Sequence, residues 1–124
     1  MSMKIERHHT IYKDSRYYCG PGPSVVADGE GRLTLAFRRV PSWLDYGQAG
    51  HWHPATELCL VRSENNGRTW SPPRVFLGGY QCPFLALLRD GTLMHSTHRT
   101  ELVPRAIVDG CPQVAGVQTG QWPG

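Results

Sequence analysis

The sequence predicts an all-β protein built from short antiparallel strands, and three observations support that fold class. The chain holds 14 glycines and 10 prolines among 124 residues, a content typical of a protein with many turns. Its apolar segments are short and alternate with polar residues, as in half-buried strands. No segment carries the hydrophobic period of a convincing helix.

An internal repeat defines the first structural unit. Residues 23–39 align without a gap over residues 83–99, an offset of 60. Each copy has an apolar strand, a tight turn with Asp and Gly, and a second strand that ends in Arg. The sequence therefore uses one β-hairpin twice. Four residue pairs are identical between the copies: Pro23 and Pro83, Gly31 and Gly91, Leu33 and Leu93, Arg39 and Arg99.

Two further strands lie between the hairpins, over residues 57–62 and 74–77. A four-stranded meander that recurs along the chain is the blade of a β-propeller. We therefore predict an all-β, partial β-propeller of about one and a half four-stranded blades. Residues 1–19 form a lead-in, in which 5–12 are a candidate strand. Residues 20–79 form the first blade, and 80–124 form the start of a second blade and an irregular tail without a third strand.

Charge and hydropathy exclude several classes of partner. The net charge is +3 and the basic residues are scattered, so we expect no nucleic-acid binding. No segment approaches the ~18–20 apolar residues of a membrane span, and the N-terminus lacks the apolar core of a signal peptide. A cytoplasmic location is expected if the N-terminus is not truncated. An incomplete propeller also leaves strand edges open, which predicts self-association.

The cysteines show no C-x-x-C spacing, so zinc-ribbon and redox motifs are absent and no cofactor is expected. Without a secretory signal they are predicted to be buried thiols. They are Cys19, Cys59, Cys82 and Cys111.

The segment from Ser63 to Trp70 predicts a self-sufficient hairpin corner. Asn65 can accept hydrogen bonds from nearby backbone amides, Gly67 can take a positive φ, and Thr69 can bond across the loop. The large apolar ring of Trp70 is expected to pack over the hairpin. These residues resemble the Asp-box of the sialidase (neuraminidase) and BNR-repeat family, with Asn65 where Asp is usual. The resemblance implies a structural role for the turn, on the face away from the active site.

The resemblance covers roughly residues 20–99 and implies a propeller that is six-bladed when complete. Residues 35–39 look like the second strand of the first sialidase blade, and Asp45 looks like the acid/base aspartate of the family. Residues 20–24 read Gly-Pro-Gly-Pro-Ser where the family places the first arginine of its carboxylate-binding triad. The bidentate clamp that this arginine would give is therefore missing.

The long connection from Val40 to Thr56 is the predicted functional loop, because such loops cluster at one end of a propeller. Its aromatic, imidazole and carboxylate side chains suit a carbohydrate, including a sialoside or another acidic glycan. Asp45 is the candidate catalytic acid, with a turn-capping carboxylate as the alternative. The candidate substrate-binding residues are Arg38, Arg39, Trp43, His51, His53 and Arg99.

Two of these assignments have structural alternatives. Arg39 and Arg99 could bind an acidic group of the substrate or pair with neighbouring carboxylates. His51 and His53 could form a metal pair, but two ligands without a third in sequence favour hydrogen-bonding or sugar-contacting histidines, so no metal is predicted.

The sequence leaves three functional hypotheses open. The first is the N-terminal part of a sialidase-like glycoside hydrolase, inactive alone, because no Tyr and Glu pair of the kind that the family uses as nucleophile follows Arg99. The second is a non-catalytic carbohydrate-binding or interaction module on the same scaffold. The third is a short independent domain that resembles the family only in its Asp-box hairpin.

Overall fold

The fold is all-β, as predicted, and consists of two antiparallel sheets and a small hairpin. The structure is a computed structural model that describes residues 2–20, 22–42 and 55–99, together with the backbone of strand residues 100–103, 107–108, 111–112 and 116–119. The described residues include no helix, and thus none long and apolar enough to span a membrane.

The first sheet is the predicted four-stranded meander with one additional edge segment. Its strands are β1 (Tyr17–Cys19), β2 (Ser24–Gly29), β3 (Arg32–Pro41), β4 (Glu57–Ser63) and β5 (Arg74–Gly78). β3, β4 and β5 pair in sequence order, and β1 and β2 share the other edge of β3. β1 and β2 thus act as one interrupted strand.

The second sheet repeats the first hairpin and extends it. Its strands are β6 (Tyr80–Leu87), β7 (Leu93–Val103) and β10 (Gly116–Thr119), in the order β6, β7, β10. The pair β8 (Ile107–Val108) and β9 (Cys111–Pro112) forms a hairpin of its own. Gly31 and Gly91, which the repeat aligns, both have positive φ, +70° and +86°. The aligned glycine of each turn therefore takes the left-handed conformation, which glycine adopts at low cost.

Two expectations differ from the structure. Residues 5–12 form no strand, because β1 and β2 already occupy that edge of β3. Ile11 and Tyr12 instead pack as irregular chain on the cluster of Phe37, Cys59 and Val61. The segment after β7 contains a third strand of the second sheet, because β10 pairs with β7. The apolar stretch in β10 is too short for its pattern to predict a strand.

The core lies on both faces of β3. Thr34, Ala36 and Val40 are fully buried on the face toward the second sheet, against which β6 packs. The alternate residue Phe37 faces the cluster with Cys59 and Val61. Alternation along one strand thus supplies two cores, as expected for a sheet that is covered on both sides.

The cysteines only partly match the sequence prediction. Cys59 is buried, Cys82 is half-buried and Cys19 is exposed, and all three are free thiols. Cys19 is exposed because β1 is a short edge strand, so the prediction of a buried thiol is wrong at this position.

Candidate functional site

A cleft of about 580 Å³ lies where one end of the first sheet meets the second sheet. Its walls come from the start of β4, the junction of β5 with β6, and the outer part of β7. The amide of Gly79 donates to the carbonyl oxygen of Thr56 at 2.7 Å and ties two of these walls together. We call this the strand-end cleft, and it is lined by Ala55, Thr56, Glu57, Gly78, Gly79, Tyr80 and Arg99.

Arg39 lies beside this cleft in a closed network. Its Nε donates to Glu57 Oε2 at 2.7 Å and its Nη1 donates to the hydroxyl of Tyr12 at 2.9 Å. The guanidinium carbon also lies 3.8 Å from the centre of the Tyr17 ring, a cation–π contact. Glu57 stands directly opposite Arg39 in the ladder between β3 and β4, which brings the two charges together.

The electrostatics of Arg39 follow from these partners. Burial acts to lower the pKa of Arg39, but the hydrogen bonds to Glu57 and Tyr12 outweigh it and raise the pKa. Burial also raises the pKa of the Tyr12 hydroxyl, against the opposing effect of Arg39. Of the two roles open to Arg39 from the sequence, the structure contains the pairing with a neighbouring carboxylate.

Arg38 is the most buried cation of the described residues, with 2% of its surface exposed. It lies on the opposite face of β3 from Arg39, toward Gly20 and Cys82. Burial lowers the pKa of its guanidinium. A Cβ on Gly20 would come within 2.2 Å of an Arg38 nitrogen, so the glycine makes room for this side chain. Arg38 does not line the strand-end cleft.

Arg99 lines the cleft and is exposed. It stands opposite Tyr80 in the ladder between β6 and β7, so both side chains share one face. The position is equivalent to that of Arg39 in the repeat, but its surroundings differ. Arg99 brings a positive charge to the cleft mouth beside an aromatic ring.

Asp45, Trp43, His51 and His53 lie outside the described residues. The chain leaves β3 at Pro41 and Ser42 and is described again from Ala55, which lines the cleft. No group of three or more His, Cys, Asp or Glu side chains that could hold a metal ion occurs in the part of the chain that the structure describes.

The hairpin corner is stapled by side chains. Ser63 Oγ donates to Asn65 Oδ1 at 3.0 Å and accepts from the amide of Gly67 at 2.8 Å. Asn65 Oδ1 accepts from the amide of Thr69 at 2.9 Å, and Asn65 Nδ2 donates to Thr69 Oγ1 at 2.7 Å. Trp70 Nε1 donates to the carbonyl of Gly67 at 3.2 Å. These side-chain hydrogen bonds all join residues of the turn itself.

This corner lies far from the cleft. Ser63 ends β4 and Glu57 begins it, and a strand of this length spans about 20 Å. The turn is instead tied to the first hairpin, since the Asn66 amide donates to the Gly31 carbonyl at 2.7 Å. The residues that resemble an Asp-box thus form a structural corner, and none of them lines the cleft; they are Ser63, Asn65, Gly67, Thr69 and Trp70.

Sequence reasoning missed several residues around the cleft. Glu57 could have been found, because the register of two adjacent predicted strands places it opposite Arg39. Tyr12 contacts Arg39 across 27 residues of chain, and no local pattern signals such a contact. Gly78, Gly79 and Tyr80 read only as a turn between units.

Comparisons with known proteins give one similar structure and no family. No protein-family model matches the chain, and a search of curated proteins finds no match. A crystal structure of a protein of unknown function from Dyadobacter fermentans is similar, with a TM-score of 0.64 and 28% sequence identity over 82% of this chain. The match covers 32% of that protein, so the chain spans about a third of its length.

Proposed function

We propose that the two sheets are consecutive blades of a β-propeller and that the strand-end cleft binds a carbohydrate. The observation that carries this proposal is the position of the cleft, at one end of two repeated antiparallel sheets. In a propeller the connections at this end of neighbouring blades form a common binding site.

The chemistry of the cleft lining supports a sugar. Tyr80 offers a ring for the C–H face of a pyranose, and Thr56 and the glycine backbone offer hydrogen-bonding groups. Arg99 adds a planar guanidinium that favours a carboxylate-bearing sugar. Glu57 lies on the same wall but is held by Arg39, which limits its repulsion of an acidic ligand.

Binding can be tested with titrations of glucuronate and the methyl glycoside of sialic acid, with methyl galactoside as the neutral comparison. We expect the acidic sugars to bind more tightly, and Arg99→Gln to weaken their binding by about 10- to 100-fold, since a charge-assisted hydrogen bond contributes about 1.5–3 kcal/mol. Arg62→Gln is the matched control, because Arg62 is exposed and remote from the cleft. Equal affinity of the Arg99 and Arg62 variants would overturn the proposal.

Sialidase-like hydrolysis is the second candidate function. Asp45 lies outside the described residues, in the part of the sequence just before Ala55 of the cleft wall, and its role as the acid that protonates a leaving group is the one that the family resemblance implies. Turnover of a fluorogenic sialoside, and then of other fluorogenic glycosides, should be compared between the wild type and Asp45→Asn. A Asp45→Asn variant that binds sugar but has lost turnover supports the hydrolase, and unchanged turnover would remove Asp45 from the mechanism. Binding without turnover by the wild type supports a carbohydrate-binding module.

A further inference from the structure

The two sheets of the chain pack on each other through opposite faces. The second sheet contacts the first through the face that carries Leu85, which is 4% exposed. The first sheet receives it on the face of Ser24, Thr34 and Ala36, of which Thr34 and Ala36 are fully buried. The amide of Leu85 donates to Ser24 Oγ at 2.9 Å, so these two residues lie in contact. We call the face that carries Leu85, or its counterpart in the repeat, the front face of a sheet, and the opposite face its rear face.

The rear face of the second sheet is apolar and exposed in the part of the chain that the structure describes. At the offset of 60 it carries Phe84 in the place of Ser24 and Met94 in the place of Thr34. Ala86 alternates with Phe84 along β6 and stands opposite Met94, so the three share this face. Phe84 is 57% exposed and Met94 is 43% exposed. Large apolar side chains that are exposed together mark an interaction surface.

The front face of the first sheet is also partly exposed. The repeat aligns Val25 with Leu85, but Val25 is 54% exposed. Leu35 stands opposite Val25 in the ladder between β2 and β3 and shares this face. The N-terminal segment packs on the neighbouring Phe37, and an apolar pocket of about 280 Å³ remains between that segment and Leu35. A cavity of about 150 Å³ is enough to hold benzene, so the pocket has room for a phenyl ring.

We propose that copies of the chain associate head to tail, with the rear face of the second sheet in one copy packed on the front face of the first sheet in the next. This contact has the same arrangement as the one within each chain, because the repeat relates the two pairs of faces position by position. Ser24 touches Leu85 within the chain, so Phe84 of one copy meets Val25 of the next. The intrachain packing is therefore the template for the interface between copies.

The two faces suit each other in charge and shape. Their exposed apolar side chains carry no charge, and Arg39 on the front face is already paired with Glu57. Phe84 supplies an aromatic side chain opposite the apolar pocket of the next copy. An aromatic anchor that fills a pocket is typical of an interface hot spot.

A head-to-tail contact leaves a free face at each end, so copies add until a ring closes. Three copies with two sheets each give about six blades, within the four to eight of a propeller. This chain matches 32% of the similar protein from Dyadobacter fermentans, which thus has about the length of three copies. We therefore expect a cyclic trimer.

The assembly rests on the proposed blade arrangement of the two sheets and not on carbohydrate binding. Val25, Phe84 and Met94 do not line the strand-end cleft. Substitutions at these positions should therefore leave the affinity for acidic sugars unchanged. A failure of the assembly is thus measured separately from a failure of sugar binding.

Sedimentation velocity of the full chain from low to high micromolar concentration tests the proposal. We expect a species of about three chain masses at the highest concentrations. Phe84→Lys on the rear face and Val25→Lys on the front face should each raise the dissociation constant by about 10-fold or more. Met3→Lys is the matched control, because Met3 is 99% exposed and belongs to neither face. Circular dichroism melts establish that each variant is folded.

A charge pair distinguishes head-to-tail packing from other contacts. The double variant Phe84→Lys, Val25→Glu places opposite charges at every contact between copies, so it should associate more strongly than either single variant. A symmetric dimer through the rear face, or pairing of strand edges, gives no such rescue. A wild-type monomer at every concentration overturns the proposal, as does an oligomer that Val25→Lys leaves intact.

Discussion

The ion pair of Arg39 and Glu57 gives the sharpest test of the role of Arg39. Glu57→Gln removes the charge that neutralises a side chain of which only 11% is exposed. Breaking a buried pair costs about 3–5 kcal/mol, but 32% of the Glu57 side chain is exposed and water can replace part of the interaction. We expect a loss of about 2 kcal/mol in the free energy of unfolding, which lowers Tm by about 8 °C.

Glu64→Gln is the matched control, because it makes the same chemical change at an exposed glutamate just beyond the far end of β4. Urea titration and thermal melts of both variants measure the difference. A double-mutant cycle with Arg39→Met isolates the pair, and we expect a coupling energy above about 1 kcal/mol. Equal stability of the two glutamine variants, or no coupling in the cycle, would refute a structural role for Arg39.

Three further predictions test the corner, the thiols and the half-buried imidazole of His95 in β7. Ser63→Ala should cost about 1–3 kcal/mol in urea titrations by leaving a turn amide unpaired, whereas Asn65→Asp, which keeps the acceptor oxygen, should be close to wild type. Burial raises the pKa of both Cys19 and Cys59, that of Cys59 to about 11, but of the two thiols only Cys19 is exposed; mass mapping after alkylation of the folded protein at mildly alkaline pH should therefore find Cys19 labelled and Cys59 protected. Burial lowers the pKa of His95, so as the pH drops the imidazole takes up a proton in the unfolded chain before it does so in the folded protein. The free energy of unfolding therefore falls below about pH 6.5, the usual pKa of histidine. The matching decrease in the urea midpoint should be smaller for His95→Gln than for the wild type.

The hairpins were predictable from the sequence because local chemistry determines them. Gly31 and Gly91 signal turns that need a positive φ, and the alternation on either side sets the strands. The strand β10 was not predictable, since its pairing depends on the free edge of β7 and not on its own composition. Residues 5–12 were wrongly predicted as a candidate strand because the prediction used only their own pattern. The edge of β3 where they could pair is occupied by β1 and β2.

The hairpin corner was predictable from the local sequence, whereas the cleft was not. The side-chain hydrogen bonds of the corner join residues at most four positions apart, so the residues from Ser63 to Trp70 are enough to predict the turn. The cleft joins residues from β4 to β7, and only tertiary packing brings them together. Arg99 was identified through the repeat, which is a long-range signal within the sequence itself.

Arg39 and Arg99 occupy the same position of the repeated hairpin. The residues packed around each arginine, and not the strand that carries it, make their surroundings different. Over Arg39 lies the N-terminal segment, which supplies the rings of Tyr12 and Tyr17 and fills the space around the guanidinium. Arg99 instead lines the strand-end cleft together with Gly78 and Gly79, which have no side chains. A Cβ on Gly78 would meet only the Thr56 carbonyl oxygen, at 4.0 Å, so the volume there is open. The same strand position therefore lies against two aromatic rings in the first sheet and at the mouth of the strand-end cleft in the second.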